Sequence, residues 1–310
     1  MKPNRALRIH AYGGSEGLKL GEIAIPIPAE GQVLVQVKAA GVNGLDWKIR
    51  QGFVRDAFPL ALPAVLGIEL AGVVILTGPG VSRVKVGDRV MGPLSGLGAY
   101  ADFVAIDEAK VCLTPEPLTD VAAAALPVAA LTAWQSLRAD GEIKPGHRVL
   151  IHGAAGGVGG FAVQFAKAAG ATVFATAAGG SRKHVLSLGA DLVIDRSSDR
   201  FEDRVKDIDQ VLDLVGGETL DRSWQVLTPD GVIVSTAAPD VASRAPAGRR
   251  GKWFMMQGDA QRLRVIADAV ISGAVRSTIA EVTDFAGLAA AIERNQRGHA
   301  PGKMVLDLTR

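Results

Sequence analysis

A chain of 310 residues with 37 glycines and 48% hydrophobic content can bury a large, closely packed interior, and its length exceeds what one core usually supports. Lys plus Arg (34) nearly cancels Asp plus Glu (32), so a net charge of +2 excludes a broad electrostatic hold on nucleic acid or anionic membrane. A single cysteine, Cys112, excludes an intramolecular disulfide and any zinc site built on several thiolates, and it fits a reducing compartment.

The opening MKPNRALRIHAYGG has no apolar h-region, so no secretory signal and a cytoplasmic location are expected. Gln32 to Lys38 sets Val33, Val35 and Val37 against Gln36 and Lys38, the period of a half-buried strand. Further apolar runs, Val65 to Leu76 and Tyr100 to Ile106, are separated by glycine and proline turns, which predicts a small β-barrel. Val121 to Leu137 is rich in alanine and broken by Pro127, so it reads as a helix pair and not as a membrane span.

From about residue 122 apolar strands alternate with helical patterns, as in βαβ units. Strands are expected at Arg148 to His152, Thr172 to Ala177, Leu192 to Ile194, Gln210 to Leu214 and Val232 to Ser235. Between the first two, Val158, Phe161, Ala162, Phe165, Ala166 and Ala169 form one apolar helical stripe. The basic piece Arg244, Arg249, Arg250 and Lys252 reads as a mobile, solvated loop. Beyond it follow an apolar strand-like piece, Trp253 to Met256, a helix from Asp259 to Ser272, and a terminal strand from Lys303 to Leu308.

Residues 148 to 160, RVLIHGAAGGVGG, pass from strand through a glycine turn into a helix start with no bulky side chain between. Such a turn suits a dinucleotide. Gly156 would let the backbone approach a pyrophosphate, Gly159 would let helix pack on strand, and the free N–H groups would bind phosphate oxygens. Ala154 replaces the first glycine of the usual fingerprint. The second strand ends in ATVFATAAGGSRK (171 to 183), with no carboxylate to accept from a ribose 2′-hydroxyl. Ser181, Arg182 and Lys183 would instead bind a 2′-phosphate, which points to NADPH; the two cations also read as solvated first-turn residues.

The histidines His10, His147, His152, His184 and His299 show no metal-ligand spacing, and Cys112 reads as a buried, inert thiol. No nucleophile elbow is present. Arg244, Arg249, Arg250 and Lys252 lack the interleaved aromatics of an RNA-binding face.

The segments AAGVNGLDWKIRQG (39 to 52), LGIELAGVV (66 to 74), VKVGDRVMG (84 to 92), LPVAALTAWQSL (126 to 137), VLIHGAAGGVGGFAVQFAK (149 to 167) and GHAPGKMVLDL (298 to 308) resemble the quinone oxidoreductase (zeta-crystallin-like) group of the zinc-independent medium-chain dehydrogenases/reductases. That resemblance implies an α/β protein: a GroES-like β-barrel domain from residues 1–121 and 275–310, a doubly wound Rossmann domain from 122–274, and a cleft between them holding NADPH. Zinc-dependent relatives carry a cysteine and a histidine where this chain has Asn43 and Ile68, so no metal is expected. Without a Lewis acid, hydride should go to an acceptor already activated by conjugation, a quinone or an α,β-unsaturated carbonyl.

The resemblance also implies roles. Asn43 would donate to a substrate oxygen gaining charge, unless it serves only its turn. Asp46 would order the same loop by capping the short helix Trp47 to Arg50. Lys48 would polarise a carbonyl or touch cofactor phosphate, and Thr132 would meet the nicotinamide ribose or carboxamide. The cofactor wall would take in Ala155, Gly157 and Val158 beside Gly156 and Gly159, then Thr176 and Arg196. Val215, Gly216, Phe254 and Lys303 would complete it, with Lys303 alternatively a surface turn. Pairing through the Trp253 to Met256 edge would give a homodimer. A reductase for one metabolite such as an enoyl thioester, and a cofactor-binding regulatory or RNA-binding protein with incidental redox activity, are the competing readings.

Overall fold

The computed structural model describes residues 3–56, 58–298 and 301–310; His299 and one residue of the Phe53 to Leu62 loop lie outside them. Eight strands come first: β1 (Asn4–Ile9), β2 (Leu18–Ile23), β3 (Gln32–Val42), β4 (Ala64–Val65), β5 (Glu69–Thr77), β6 (Arg89–Pro93), β7 (Phe103–Asp107) and β8 (Cys112–Leu113). Helix α1 (Gly44–Arg50) follows β3, and α2 (Asp120–Ala124) and α3 (Pro127–Ser136) form the expected helix pair. Strands then alternate with helices: β9 (Arg148–His152), α4 (Gly157–Ala168), β10 (Thr172–Ala177), α5 (Arg182–Ser187), β11 (Leu192–Asp195), β12 (Ile208–Asp213), α6 (Gly217–Ser223), β13 (Leu227–Ser235) and β14 (Arg250–Trp253). Helix α7 (Ala260–Ile271), β15 (Ile279–Thr283), α8 (Phe285–Arg297) and β16 (Lys303–Asp307) close the chain.

Two compact units result, Met1–Val128 with Gly258–Arg310, and Ala129–Gln257. Residues 122–128 and 258–274 thus fall in the first unit, where α7 packs on β8. In that unit β3 is the hub. It pairs antiparallel with β5, β7 and β16, so the two ends of the sequence meet in one sheet of order β15-β16-β3-β5-β6-β8. Leu34 is buried together with Val33, Val35 and Val37, so β3 is covered on both faces there and not half-buried as its alternation predicts. Leu288, Ala291 and Ile292 of α8 join the same core.

The second unit is a six-stranded parallel sheet of order β11-β10-β9-β12-β13-β14. Counted within the unit this is 3-2-1-4-5-6, the doubly wound order whose ligands sit at the carboxyl ends of the strands. Helix α4 buries Phe161, Ala162, Phe165 and Ala166, the stripe read from the sequence. The last strand departs from expectation. It is the basic run Arg250–Trp253, not Trp253 to Met256, and the solvated loop expected at Arg249 to Lys252 is therefore mostly strand. The charges are satisfied locally: Arg250 pairs with Asp140 at 2.8 Å, and Arg249 donates to the Thr228 carbonyl at 2.6 Å. Among the described residues no helix is long and apolar enough to cross a membrane.

Candidate functional site

In the second unit, β9 runs into a turn at Gly153 (φ +73°) and then into α4, whose N-cap is Gly156. A Cβ at Gly159 would lie 2.3 Å from the Gly153 carbonyl oxygen and 2.6 Å from Ala154 Cα, so only glycine lets the helix come this close to the strand. At Gly156 the same atom would meet nothing nearer than 3.5 Å. Packing inside the protein does not require glycine there; the open face of the loop is a cradle that a side chain would fill. Ala155, Gly157 and Val158 complete the loop, each only partly buried. A helix N-terminus with free N–H groups behind such a cradle fits a pyrophosphate.

Polar groups that sequence reasoning passed over hold the neighbouring turns. Asp213, fully buried at the end of β12, accepts from the N–H of Val215 (3.0 Å) and Gly216 (2.9 Å), and its other oxygen accepts from Ser235 Oγ (2.6 Å). Ser235 Oγ in turn accepts from the N–H groups of Ala237 and Ala238. One carboxylate and one hydroxyl thus shape the turns after β12 and β13, and Gly216 follows at φ +78°. Phe254 N–H donates to the Ser235 carbonyl at 2.9 Å.

His152, at the end of β9, contacts Ser223 Oγ through Nε2 and Thr176 Oγ1 through Nδ1, both at 2.9 Å. Ser223 donates its hydrogen to the Thr219 carbonyl (2.7 Å), so it must accept from His152 Nε2–H, and Nδ1 accepts from Thr176. Burial pushes this imidazole down to about 4, so it is neutral at physiological pH. The signal for all three groups was a polar residue ending an otherwise apolar strand.

At the end of β10, Ser181 is buried and Arg182 Nη1 donates to the Val193 carbonyl at 2.6 Å, which directs it toward β11. Lys183 and Arg196 are exposed. Asp195 lies just outside the stretch that contains no acid, yet it stands beside it: a Cβ at Gly179 would be 2.2 Å from Asp195 Oδ2. The Ser197 hydroxyl (2.5 Å) and N–H (3.0 Å) hold the Asp195 carboxyl below the usual carboxylate range. Thr132 is buried within α3.

The first unit contains a closed polar cluster. Lys303, 4% exposed, donates to Glu69 Oε1 (2.6 Å), to the Val42 carbonyl (3.0 Å) and to Asn43 Oδ1. Asn43 Nδ2 donates to the Gly41 carbonyl (3.2 Å) and to Glu69 Oε1 (2.9 Å). Glu69 Oε2 accepts from Val128 N–H at the start of α3 (2.7 Å). Asn43 N–H donates to Asp46 Oδ2 (2.7 Å); Asp46 thus helps cap α1, but as the third residue of a helix that begins at Gly44 with Asn43 as its N-cap, not as the residue preceding a helix that begins at Trp47. Tyr100 Oη also donates to Asp46 Oδ2 (2.7 Å), and Asp46 Oδ1 is buried with no hydrogen-bond partner among the described residues. Burial raises the Asp46 carboxyl to about 6 against the lowering effect of those two hydrogen bonds. Lys48 lies one residue beyond Trp47, its ammonium 5.7 Å from that ring.

Two expected roles meet this geometry directly. Both Asn43 amide hydrogens and all three Lys303 hydrogens are committed to acceptors within the cluster, leaving none for a substrate oxygen or a cofactor phosphate. Burial raises the Cys112 thiol to about 12, in keeping with an inert thiol. Among the described residues no group of three or more His, Cys, Asp or Glu is arranged to hold a metal ion.

A two-unit α/β protein with a dinucleotide-type glycine loop is the class these features define. Residues 29–116 match the alcohol dehydrogenase GroES-like domain, and residues 188–306 match the zinc-binding dehydrogenase family. The chain is 38% identical over 236 residues to quinone oxidoreductase 1 of Escherichia coli (strain K12), covering 74% of this chain and 71% of that one. It is 35% identical to 2-methylene-furan-3-one reductase of Solanum lycopersicum, over 95% of this chain and 76% of that one. The crystal structure of Escherichia coli quinone oxidoreductase complexed with NADPH superposes with a TM-score of 0.89 at 30% identity, covering 98% and 100% of the two chains. The chain belongs to the quinone oxidoreductase group of the medium-chain dehydrogenase/reductase family.

Proposed function

We propose that this oxidoreductase is an NADPH-dependent, metal-independent reductase of quinones and α,β-unsaturated carbonyl compounds. The observation that carries the reading is the glycine loop, whose Gly156 is open where a Cβ would fit, backed by the similarity to an enzyme crystallised with NADPH. Bound there, the cofactor would supply a hydride. The N–H groups at the start of α4 would hold its pyrophosphate, while the turns fixed by Asp213 and Ser235 would bring Val215 and Gly216 along it, with Phe254 and Thr176 completing the wall.

The preference for NADPH is supported by Ala177 and Ala178, which offer no acid at the end of β10, and by the exposed cations Lys183 and Arg196. Arg182 contributes less, since its guanidinium is already turned toward Val193. Lys48 is the group we assign to polarise the acceptor's carbonyl oxygen, with Thr132 against the nicotinamide end; Asn43 holds the turn into the helix that carries Lys48. Metal independence is supported by Asn43 and Ile68 at the two positions where zinc-dependent relatives carry ligands, and by Glu69 being paired with Lys303. Homodimer formation through the β14 edge, which ends the six-stranded order, and a cytoplasmic place belong to the same proposal.

The test is NADPH oxidation by the purified protein after exhaustive chelation, with a simple quinone, a small enone and ethanol as acceptor or donor. Turnover with the first two and none with ethanol is expected. Activity that vanishes on chelation, or a preference for alcohols, would overturn the reading. Light scattering that gives the mass of one chain would remove the dimer.

A further inference from the structure

The inference rests on the oxidoreductase reading and concerns how its substrate side is held. An ammonium can only donate, so Lys303 must face the carbonyl oxygen of the Asn43 amide; a carboxylate can only accept, so Glu69 must face its nitrogen. A flipped amide would set NH2 against NH3+ and oxygen against carboxylate. The two buried charges therefore fix one orientation of Asn43. Glu69 also anchors the first turn of α3 through Val128 N–H, at a helix end that favours negative charge. Gly41 makes this possible, because a Cβ there would lie 2.1 Å from Glu69 Oε1. From Asn43 the constraint passes to Asp46, which caps α1, the helix that carries Lys48.

We infer that Lys303 is a positioning residue, not a cofactor contact: its buried ammonium neutralises Glu69, locks Asn43, and through the Asn43 to Asp46 cap sets α1 and Lys48. The cation that balances Glu69 is thus covalently part of the chain.

Lys303→Met, Glu69→Gln and the double variant Glu69→Gln/Lys303→Met test this through kcat, NADPH Kd from fluorescence titration, and melting temperature. Lys303→Met is expected to lower quinone kcat by about 10- to 100-fold with NADPH Kd changed by less than about twofold. The double variant, which leaves no uncompensated charge, should melt above either single variant yet keep the lowered kcat, because neither charge remains to fix Asn43. An NADPH Kd weakened tenfold at unchanged kcat would overturn the inference in favour of a cofactor contact, and additive melting shifts at positions 69 and 303 would overturn the pair. If Lys303→Met does not fold, the double variant's kcat and Kd decide by the same criteria. A wild-type protein that binds NADPH but reduces neither quinones nor enones would break the functional reading alone, and the coupling between positions 69 and 303 would still judge the cluster.

Discussion

The two units bury polar clusters of opposite kinds. In the GroES-like unit, Lys303 and Glu69 are a full ion pair beside Asn43, Asp46 and Tyr100; in the Rossmann unit, His152 is neutral and Asp213 is held by N–H and O–H groups, with no cation hydrogen-bonded to it among the described residues. A charge inside the first cluster is matched by another charge. A charge inside the second is matched by dipoles from two turns and a hydroxyl. The difference teaches where each cluster is fragile: the first should fail when its charges are unbalanced, the second when its turns lose their shape.

The largest expected effect breaks the first balance. Glu69→Gln keeps the shape but strands the Lys303 ammonium, and should lower unfolding free energy by roughly 3–5 kcal/mol in urea titration. Asp213→Asn keeps one acceptor for the two turn N–H groups and should cost about 1–2 kcal/mol. Equal losses would erase the contrast between the clusters.

Titration sharpens it next, because the two buried groups act with opposite sign in overlapping windows. Asp46 is raised to about 6 from 3.8, so the folded state binds the proton more tightly; its contribution is fully present below the lower value and is lost as pH rises through about 6. His152 is lowered to about 4 from 6.5, so its contribution is present above 6.5 and is lost as pH falls through about 4. Each difference corresponds to about 3 kcal/mol at most. Between pH 4 and 6, urea midpoints of Asp46→Asn should rise with pH relative to wild type, and those of His152→Gln should fall. Parallel slopes for the two variants would contradict the assignment.

The glycine loop offers a smaller, cleaner contrast. Gly159→Ala forces a Cβ into the Gly153 carbonyl and should destabilise by about 1–3 kcal/mol. Gly156→Ala should leave the melting temperature nearly unchanged while weakening NADPH at least about tenfold, since only a ligand would meet its methyl group. The smallest effect concerns the 2′-phosphate: Lys183→Ala and Arg196→Ala should each reduce the NADPH-to-NADH ratio of kcat/KM by about tenfold, and Arg182→Ala by less. A larger loss at Arg182 would mean that its bond to Val193 yields to the cofactor.

What the sequence disclosed was local. The β9–loop–α4 unit could be read because strand, glycines and apolar stripe are contiguous, and each signal depends only on near neighbours. The strand Arg250–Trp253 could not, because an edge strand shows no buried face and takes its hydrogen bonds from β13, about 18 residues earlier in register. Asp195 escaped because the relevant carboxylate comes from the adjacent strand β11 and not from β10. Asn43 and Lys303 were singled out one by one, but nothing in a sequence separation of 260 signals that they share a hydrogen bond. Asp213 stood in the apolar run Gln210 to Leu214, where a lone acid near a strand end is a usable sign of a polar duty.

Gly41 and the Lys303–Glu69 pair bear on how such chains can diversify. Asn43→Cys alone would set a thiol against Glu69 and leave the ammonium with one acceptor fewer. Replacing Lys303 first would expose a bare carboxylate. Each of these single changes leaves a buried charge short of a partner, so drift at positions 43, 69 and 303 is coupled.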